Sequence, residues 1–360
     1  MESLEKYALR SLEVKVDSCF LGAILMKLFS DNMDMFTTID NFSAVTVASQ
    51  VLTKETGLFI HLQEFRTVIN CTKEFWPKDK FGKQINDKLE NIESIGKRYL
   101  QIYILSVIAA VSLYMLKPIL EGNQTLPFGW VTFCSLEENL SCYILNYVLE
   151  VAWTLFGLYV LVGFDSLFIL LLICGYCELE QIKHVLISMD PDETTDEDDV
   201  QLLVLISSVI EQHNRVLNLF EGIQDLLGNL LLWQFVATLL SLCASLFVLT
   251  STDFPPSVPI LTRTLPYILC VFIQNFIYCA AGQVITDQSL SVADAAYASK
   301  WWVKSQPKLR KMILLIILSS QRPVEMTAGG FFVLNFETFV AIMKATGSAL
   351  AFLNTVCEEE

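Results

Sequence analysis

Cysteine, histidine and acidic side chains are the groups most able to do chemistry, and in this sequence they are dispersed. Cys174-Gly-Tyr-Cys177 has the CxxC spacing of a thiol pair that can hold a metal, yet no second CxxC and no histidine pair lies near it to complete a tetrahedral set. His61, His184 and His213 are far apart, and HExxH, GxSxG and GxxxxGK are absent. No catalytic residue, metal or cofactor is therefore expected, and the chain does not read as an enzyme. Cys134 and Cys142 share one loop and can bridge in an oxidising compartment. Acidic residues crowd into Asp190-Pro-Asp-Glu-Thr-Thr-Asp-Glu-Asp-Asp199, which reads as a solvated linker or as a device that concentrates cations near an ion exit. Asp165, in LVGFDSLFILLL, stands in an apolar run where an ionised carboxylate must be paired or face water. It is either a structural carboxylate bonded to neighbouring helices or part of an aqueous path, and Lys54 has a similar depth.

The elements that must position these groups are membrane helices. Of 360 residues, 53% are hydrophobic and only 18% charged, with a mean hydropathy of +0.50, a balance that a soluble domain would struggle to bury. A helix of roughly 20 apolar residues crosses a hydrocarbon core of about 30 Å. Runs of that kind occupy 100–120, 144–175, 227–250 and 264–285, with more polar candidates at 13–30 and 42–63 and an amphipathic one at 335–356. The start, MESLEKYALR, leads into a mixed stretch and carries no cleavable signal pattern. The expected fold is an all-α polytopic membrane protein with seven transmembrane helices.

Lysine and arginine orient it. Lys73, Lys78, Lys80, Lys83, Lys88, Lys97 and Arg98, and then Lys300, Lys304, Lys308, Arg310 and Lys311, mark two cytosolic segments. Loops 31–41, 121–143 and 251–262 contain neither residue and face outward. The glycosylation sequons at Asn123 and Asn139 fall in the second of these loops, in agreement. The N-terminus is then cytosolic and the C-terminus extracellular. A G-protein-coupled receptor runs the other way, and Asp-Arg-Tyr and Asn-Pro-x-x-Tyr signatures are missing.

From Val200 a proline-free pattern runs into the fifth span, so one helix of roughly 50 residues, about 75 Å long, projects into the cytosol. Residues 177–188, 286–303 and 307–321 supply helices to cover it, and MILLIILS at 312–319 is too short to span, closing at Arg322-Pro323. The organisation expected is spans 1–4 with a pocket in 1–175, cytosolic helices with the acidic linker in 176–226, spans 5–6 in 227–285, an anchor layer in 286–334, and the last span with its tail in 335–360.

From Phe276 the chain reads FIYCAAGQVITDQSLSVADAAYASKWW, and later SSQRPVEMTAGGFFVLNFETF. The ordered set Tyr278, Cys279, Gly282, Thr286, Ser289, Tyr297, Trp301, Arg322, Pro323, Thr327, Ala328, Gly329, Glu337, Thr338 and Phe339 resembles the C-terminal signature of insect odorant receptors. His213, and Asp165 followed by Leu167 and Phe168, match upstream. In the last helix Thr346-Gly347-Ser348-Ala349-Leu350 departs from the usual Ser-Tyr-Ser-aromatic tract, and the short acidic linker is unlike the long insertion of the shared co-receptor. A tuning subunit is the better match than the co-receptor. Gustatory-type and pore-less binding subunits are the alternatives, and a transporter has no support from paired broken helices.

The resemblance implies an odorant-gated, nonselective cation channel in the plasma membrane of sensory dendrites, a heterotetramer with co-receptor subunits around a central pore, and no role for nucleic acid. Ala345, Ser348, Phe352, Thr355 and Val356 share one helical face. On the resemblance this face lines the pore, with Phe352 and Val356 as the apolar constriction that gates by dewetting. The implied pocket lies in the outer half of spans two, three, four and six, where Thr46, Ser49, Gln50, Val111, Tyr114, Trp153, Phe156, Tyr267, Phe272 and Asn275 have the right depth. About four of them are expected to touch a volatile hydrophobic ligand, the others packing between helices. Gating then displaces the final helix outward, coupled through the sixth span.

Overall fold

The computed structural model describes residues 35–116, 139–189, 196–251, 256–302 and 306–358, with Ser18, Gly22, Pro118, Leu126 and Pro127 besides. Apart from Ser18 and Gly22, the span expected at 13–30 lies outside them, as do Asn123, Cys134 and most of the acidic linker. Helix α1 is Met35–Ile60, α2 Leu62–Cys71, α3 Lys83–Met115, α4 Leu140–Ser188, α5 Asp196–Ser251, α6 Val258–Ala298, α7 Pro307–Ser320 and α8 Phe336–Glu358. The short strands β1, Thr327–Ala328, and β2, Phe332–Val333, pair antiparallel. Helices α3, α4, α5 and α6 each contain a segment long and apolar enough to cross a membrane, and the spans expected at 42–63 and 335–356 are helical, in α1 and α8.

Local chemistry fixes the helix ends. Asn139 starts α4 by accepting from the amides of Ser141 at 3.1 Å and Cys142 at 3.4 Å, and Asn335 starts α8 by accepting from Thr338 at 2.8 Å. Pro307 opens α7, where its missing N–H costs nothing. Helix α5, free of proline, runs 56 residues, about 84 Å, and α4 runs 49, about 74 Å. Both exceed a hydrocarbon core of about 30 Å and must project beyond it.

The projecting parts hold the main core. Leu179, Ile182, Leu186, Ile206, Val209, Val216, Ile285, Val292, Leu309 and Ile313 are sealed in one core built by α4, α5, α6 and α7. In the membrane half, by contrast, Leu105, Leu155 and Tyr159 are 65%, 58% and 77% exposed. Water drives the burial of apolar side chains in the first region, whereas lipid is as apolar as they are in the second. The helical partner expected at 286–303 is the extension of α6 to Ala298, and α7 contributes Leu309, Ile313 and Ile316 to the core.

A hairpin between α7 and α8 is the departure from an all-helical expectation. Gly329 and Gly330 turn it with φ of 61° and 74°, which residues bearing a Cβ rarely adopt. Its first strand docks on α5: the Gln224 amide donates to the Thr327 carbonyl at 3.0 Å and hydroxyl at 2.8 Å, accepts from the Thr327 N–H at 2.7 Å, and the Gly329 N–H donates to the Gly228 carbonyl at 2.7 Å. On the other side it meets α6, where Thr286 donates to the Val324 carbonyl at 2.9 Å and Ser289 accepts from the Val324 N–H at 3.0 Å.

Candidate ligand cavity and pore helix

Asp165 sits at the centre of a buried polar hub. Its carboxylate accepts from the Lys54 ammonium at 2.6 Å, the Tyr278 hydroxyl at 2.5 Å, the Gln274 amide at 2.7 Å and the Tyr103 hydroxyl. Lys54, Asp165 and Tyr278 are each 2% exposed. The hub therefore ties α1, α3, α4 and α6 around one ion pair, and Gln234 of α5 joins it by donating to Gln274 at 3.0 Å. Phe168 stacks on Tyr278 at 5.0 Å, and Lys54 lies 5.2 Å from the centre of the Phe164 ring. Of the two readings open for Asp165, the carboxylate bonded to neighbouring helices is the one observed, and Lys54 is its partner.

A cavity of about 140 Å³ lies beside this hub. Its wall comes from α1 (Ser43, Ala44, Val47, Gln50), α3 (Tyr103, Val107, Ala110, Val111, Tyr114, Met115), α4 (Thr154, Leu161), α5 (Ser245, Val248) and α6 (Thr264, Tyr267, Cys270, Val271, Gln274). Tyr103 and Gln274 belong to both the wall and the hub, so whatever fills the cavity touches groups that hold Asp165.

Among the residues expected from sequence, Gln50, Val111, Tyr114 and Tyr267 line this cavity. The others lie elsewhere. Thr46 and Ser49 return their hydroxyls to carbonyls of α1 at 2.7 Å each, Trp153 packs against Ala44 and Ala48, and Phe156 is half-buried outside the wall. Phe272 meets Phe339 of α8 edge to face at 5.2 Å. Asn275 is 2% exposed, and neither atom of its amide group has a partner among the described residues. Sequence reasoning missed Tyr103, Ser245, Thr264 and Gln274; the spacing Thr264, Tyr267, Val271, Gln274 is one helical stripe that could have revealed the α6 wall.

Helix α8 packs on α5 and α6. Phe336 and Phe339 interlock with Phe272 and Phe276 of α6, and Thr346 is 3% exposed on the packed side. The opposite face, with Ala345, Ser348, Phe352 and Thr355, is exposed, Phe352 by 67%. The Val356 side chain lies outside the described residues. The signature residues around α8 prove structural: Tyr278 holds Asp165, and Gly282 approaches the Leu334 backbone so closely that a Cβ there would collide with its carbonyl.

In the layer beyond the membrane half, Glu180 accepts from Lys88, from Lys183 at 3.2 Å and from Gln288 at 2.8 Å. Burial alone would raise its pKa, but these partners bring it below the ordinary value. Glu178 has fewer. Burial pushes its carboxyl up to about 7, offset in part by the Trp76 N–H at 3.3 Å and by Lys80 and Arg215 nearby. His213, beside Ser320 at 3.4 Å, is pushed down by burial. Cys71, Cys174, Cys177, Cys243, Cys270 and Cys279 are free, and no cluster able to hold a metal occurs among the described residues. Cys142 is disulfide-bonded.

Known proteins show the same architecture. Odorant receptor 10 of Aedes albopictus is 25% identical over 72% of this chain and 68% of its own length. Odorant receptor 22c of Drosophila melanogaster is 27% identical, the match spanning 66% of this chain and 59% of that receptor. Odorant receptor Or2 of Anopheles gambiae is 22% identical over 92% of this chain and 88% of its own. The insect olfactory receptor OR5 from Machilis hrabei, solved in complex with eugenol, superposes with a TM-score of 0.79 over 96% of this chain and 88% of that one, at 15% identity, which speaks for the fold. The family model described as 7tm Odorant receptor matches residues 32–347, nearly the whole chain, and the protein belongs to the insect odorant receptor family.

Proposed function

We infer that this chain is the odorant-specific subunit of a ligand-gated, nonselective cation channel, binding a small volatile in the cavity between α1, α3, α4, α5 and α6 and opening a pore built with co-receptor subunits. The observation that carries this is the double use of Tyr103 and Gln274. They form cavity wall and also bond Asp165, while Gln274 reaches α5 through Gln234, so occupancy bears on the helix against which α8 packs. A ligand acts only by favouring one state over another, and this hub gives it contacts that can differ between states.

The exposed face of α8 supports its place beside the pore, with Ala345, Ser348, Phe352, Thr355 and Val356 as lining residues and an apolar gate at Phe352 and Val356. The eugenol found with the Machilis receptor supports a small organic ligand. A disulfide at Cys142 forms in an oxidising compartment and supports an extracellular 121–143 loop, with Asn123 and Asn139 as glycosylation sites, a cytosolic N-terminus and an extracellular C-terminus. The apolar layer of α4, α5 and α7 is the proposed meeting place of subunits, in the plasma membrane of sensory dendrites. Expression with and without a co-receptor tests this reading: volatile-evoked current should need both chains, and robust current from this chain alone would overturn the assignment.

A further inference from the structure

Three polar side chains in the cavity wall have no partner among the described residues. Gln50 on α1, Ser245 on α5 and Thr264 on α6 are 8%, 5% and 6% exposed, line the one cavity, and make no hydrogen bond among the described residues. Their neighbours behave differently. Thr154 returns its hydroxyl to the Glu150 carbonyl at 2.7 Å, and Tyr103 and Gln274 are committed to Asp165. Nor are the atoms of the three among the side-chain atoms that are both sealed from all free space and unpaired, so they border the void. Protein interiors seldom leave such groups unpaired, and three of them converging from three helices place the missing partner inside the cavity.

We propose that Gln50, Ser245 and Thr264 are the polar recognition set of the cavity, selecting a compact volatile with an oxygen acceptor (a ketone, aldehyde, ester or alcohol) over a hydrocarbon of the same shape. This rests on reading the cavity as the odorant site. Each of the three can donate, through an amide N–H or a hydroxyl O–H, so the group that satisfies them together is an oxygen with free lone pairs. The remaining wall, Val107, Ala110, Val111, Val248 and Val271, suits an apolar body. Its size follows from the volume: about 140 Å³ is close to the roughly 150 Å³ of a cavity that admits benzene, so the body is one ring or a short chain. A site built around hydrogen bonds rejects an analogue without the bonding group, because its own polar atoms are then stranded.

The test uses matched pairs of volatiles in which C=O is replaced by C=CH2, such as acetophenone with α-methylstyrene and 2-heptanone with 2-methyl-1-heptene, in a panel of roughly six to ten heavy atoms. Two readouts are taken: current in cells expressing the chain with a co-receptor, and thermal stabilisation of the purified complex, which reports binding without gating. Carbonyl members should act at concentrations lower by about tenfold or more, since one lost hydrogen bond is worth on the order of tenfold. Thr264→Val, Ser245→Ala or Gln50→Leu should shrink that preference while leaving the hydrocarbon response equal or stronger. The near-isosteric Thr264→Val guards against misfolding. Equal potency of pair members in the unaltered receptor, equal weakening of both by the variants, or no stabilisation by any carbonyl member overturns the proposal. Stabilisation by carbonyl members without current keeps the recognition set and removes the channel reading.

Discussion

Replacing Lys54 by methionine takes away the cation that lies 2.6 Å from Asp165 and leaves a carboxylate 2% exposed among apolar helices. Removing one member of a buried ion pair costs about 3–5 kcal/mol, a large part of the roughly 5–15 kcal/mol that holds a typical domain together. Tyr103, Gln274 and Tyr278 still donate to Asp165, which places the cost toward the lower end. Asp165→Asn alone leaves Lys54 buried and unpaired, with a penalty of similar size. The double variant Lys54→Met, Asp165→Asn contains no buried charge at the hub and keeps a carbonyl acceptor for its donors, so it should recover most of either loss. Thermal melting of the detergent-solubilised receptor, with surface expression alongside, reads this out. If the two losses simply add, with no coupling beyond about 0.5 kcal/mol, the pair is not the electrostatic centre of the hub and the reasoning fails.

Other expectations follow from single contacts. Glu178→Gln should raise the melting temperature above pH 7 and change little below pH about 4.5. The buried carboxyl has its pKa raised to about 7, so the unfolded chain ionises first and the native state loses stability as pH rises toward that value. A melting profile with the same pH slope in wild type and variant would contradict this. Gly282→Ala drives a Cβ into the Leu334 carbonyl, which belongs to the hairpin leading into α8, and should cost about 1–3 kcal/mol with altered gating; unchanged melting and unchanged odorant response would be the opposing result. Removal of N-linked glycan should shift the mobility of the protein in gels unless both Asn123 and Asn139 are replaced by glutamine, which would leave no shift if these are the sites used.

Much of the fold was legible because composition and apolar patterning report it directly. The unbroken pattern from Val200 foretold α5, and the long apolar runs foretold α3, α4 and α6. The hairpin at 327–333 escaped, since two-residue strands leave no periodic trace and its anchors, Gln224 and Gly228, are some hundred positions upstream. The cavity shows the more instructive difference. Depth came from counting along each helix, but the residue that faces inward depends on rotation, and one position turns a side chain by about 100°. Gln50 was expected and lines the wall, but Thr46 was expected where Val47 stands, Trp153 where Thr154 stands, and Phe272 and Asn275 where Val271 and Gln274 stand. Aromatic side chains looked like pocket lining, whereas Phe272 packs on Phe339 and Trp153 on Ala44 and Ala48. Which helices meet around Asp165 is a tertiary fact, and only the cost of a charge in an apolar run hinted that Lys54 would be there.

The central claim joins an odorant cavity to a pore helix in one chain, and bi-ionic patch-clamp recording of Phe352→Ser beside the unaltered receptor, each expressed with a co-receptor, tests it most directly. Phe352 is 67% exposed on the free face of α8 and far along the chain from every cavity residue. A polar side chain in a narrow apolar ring lets it wet, so resting current or relative cation permeability should change while the rank order of activating volatiles stays as it was. Wild-type leak and permeability together with a reordered volatile preference would contradict the account.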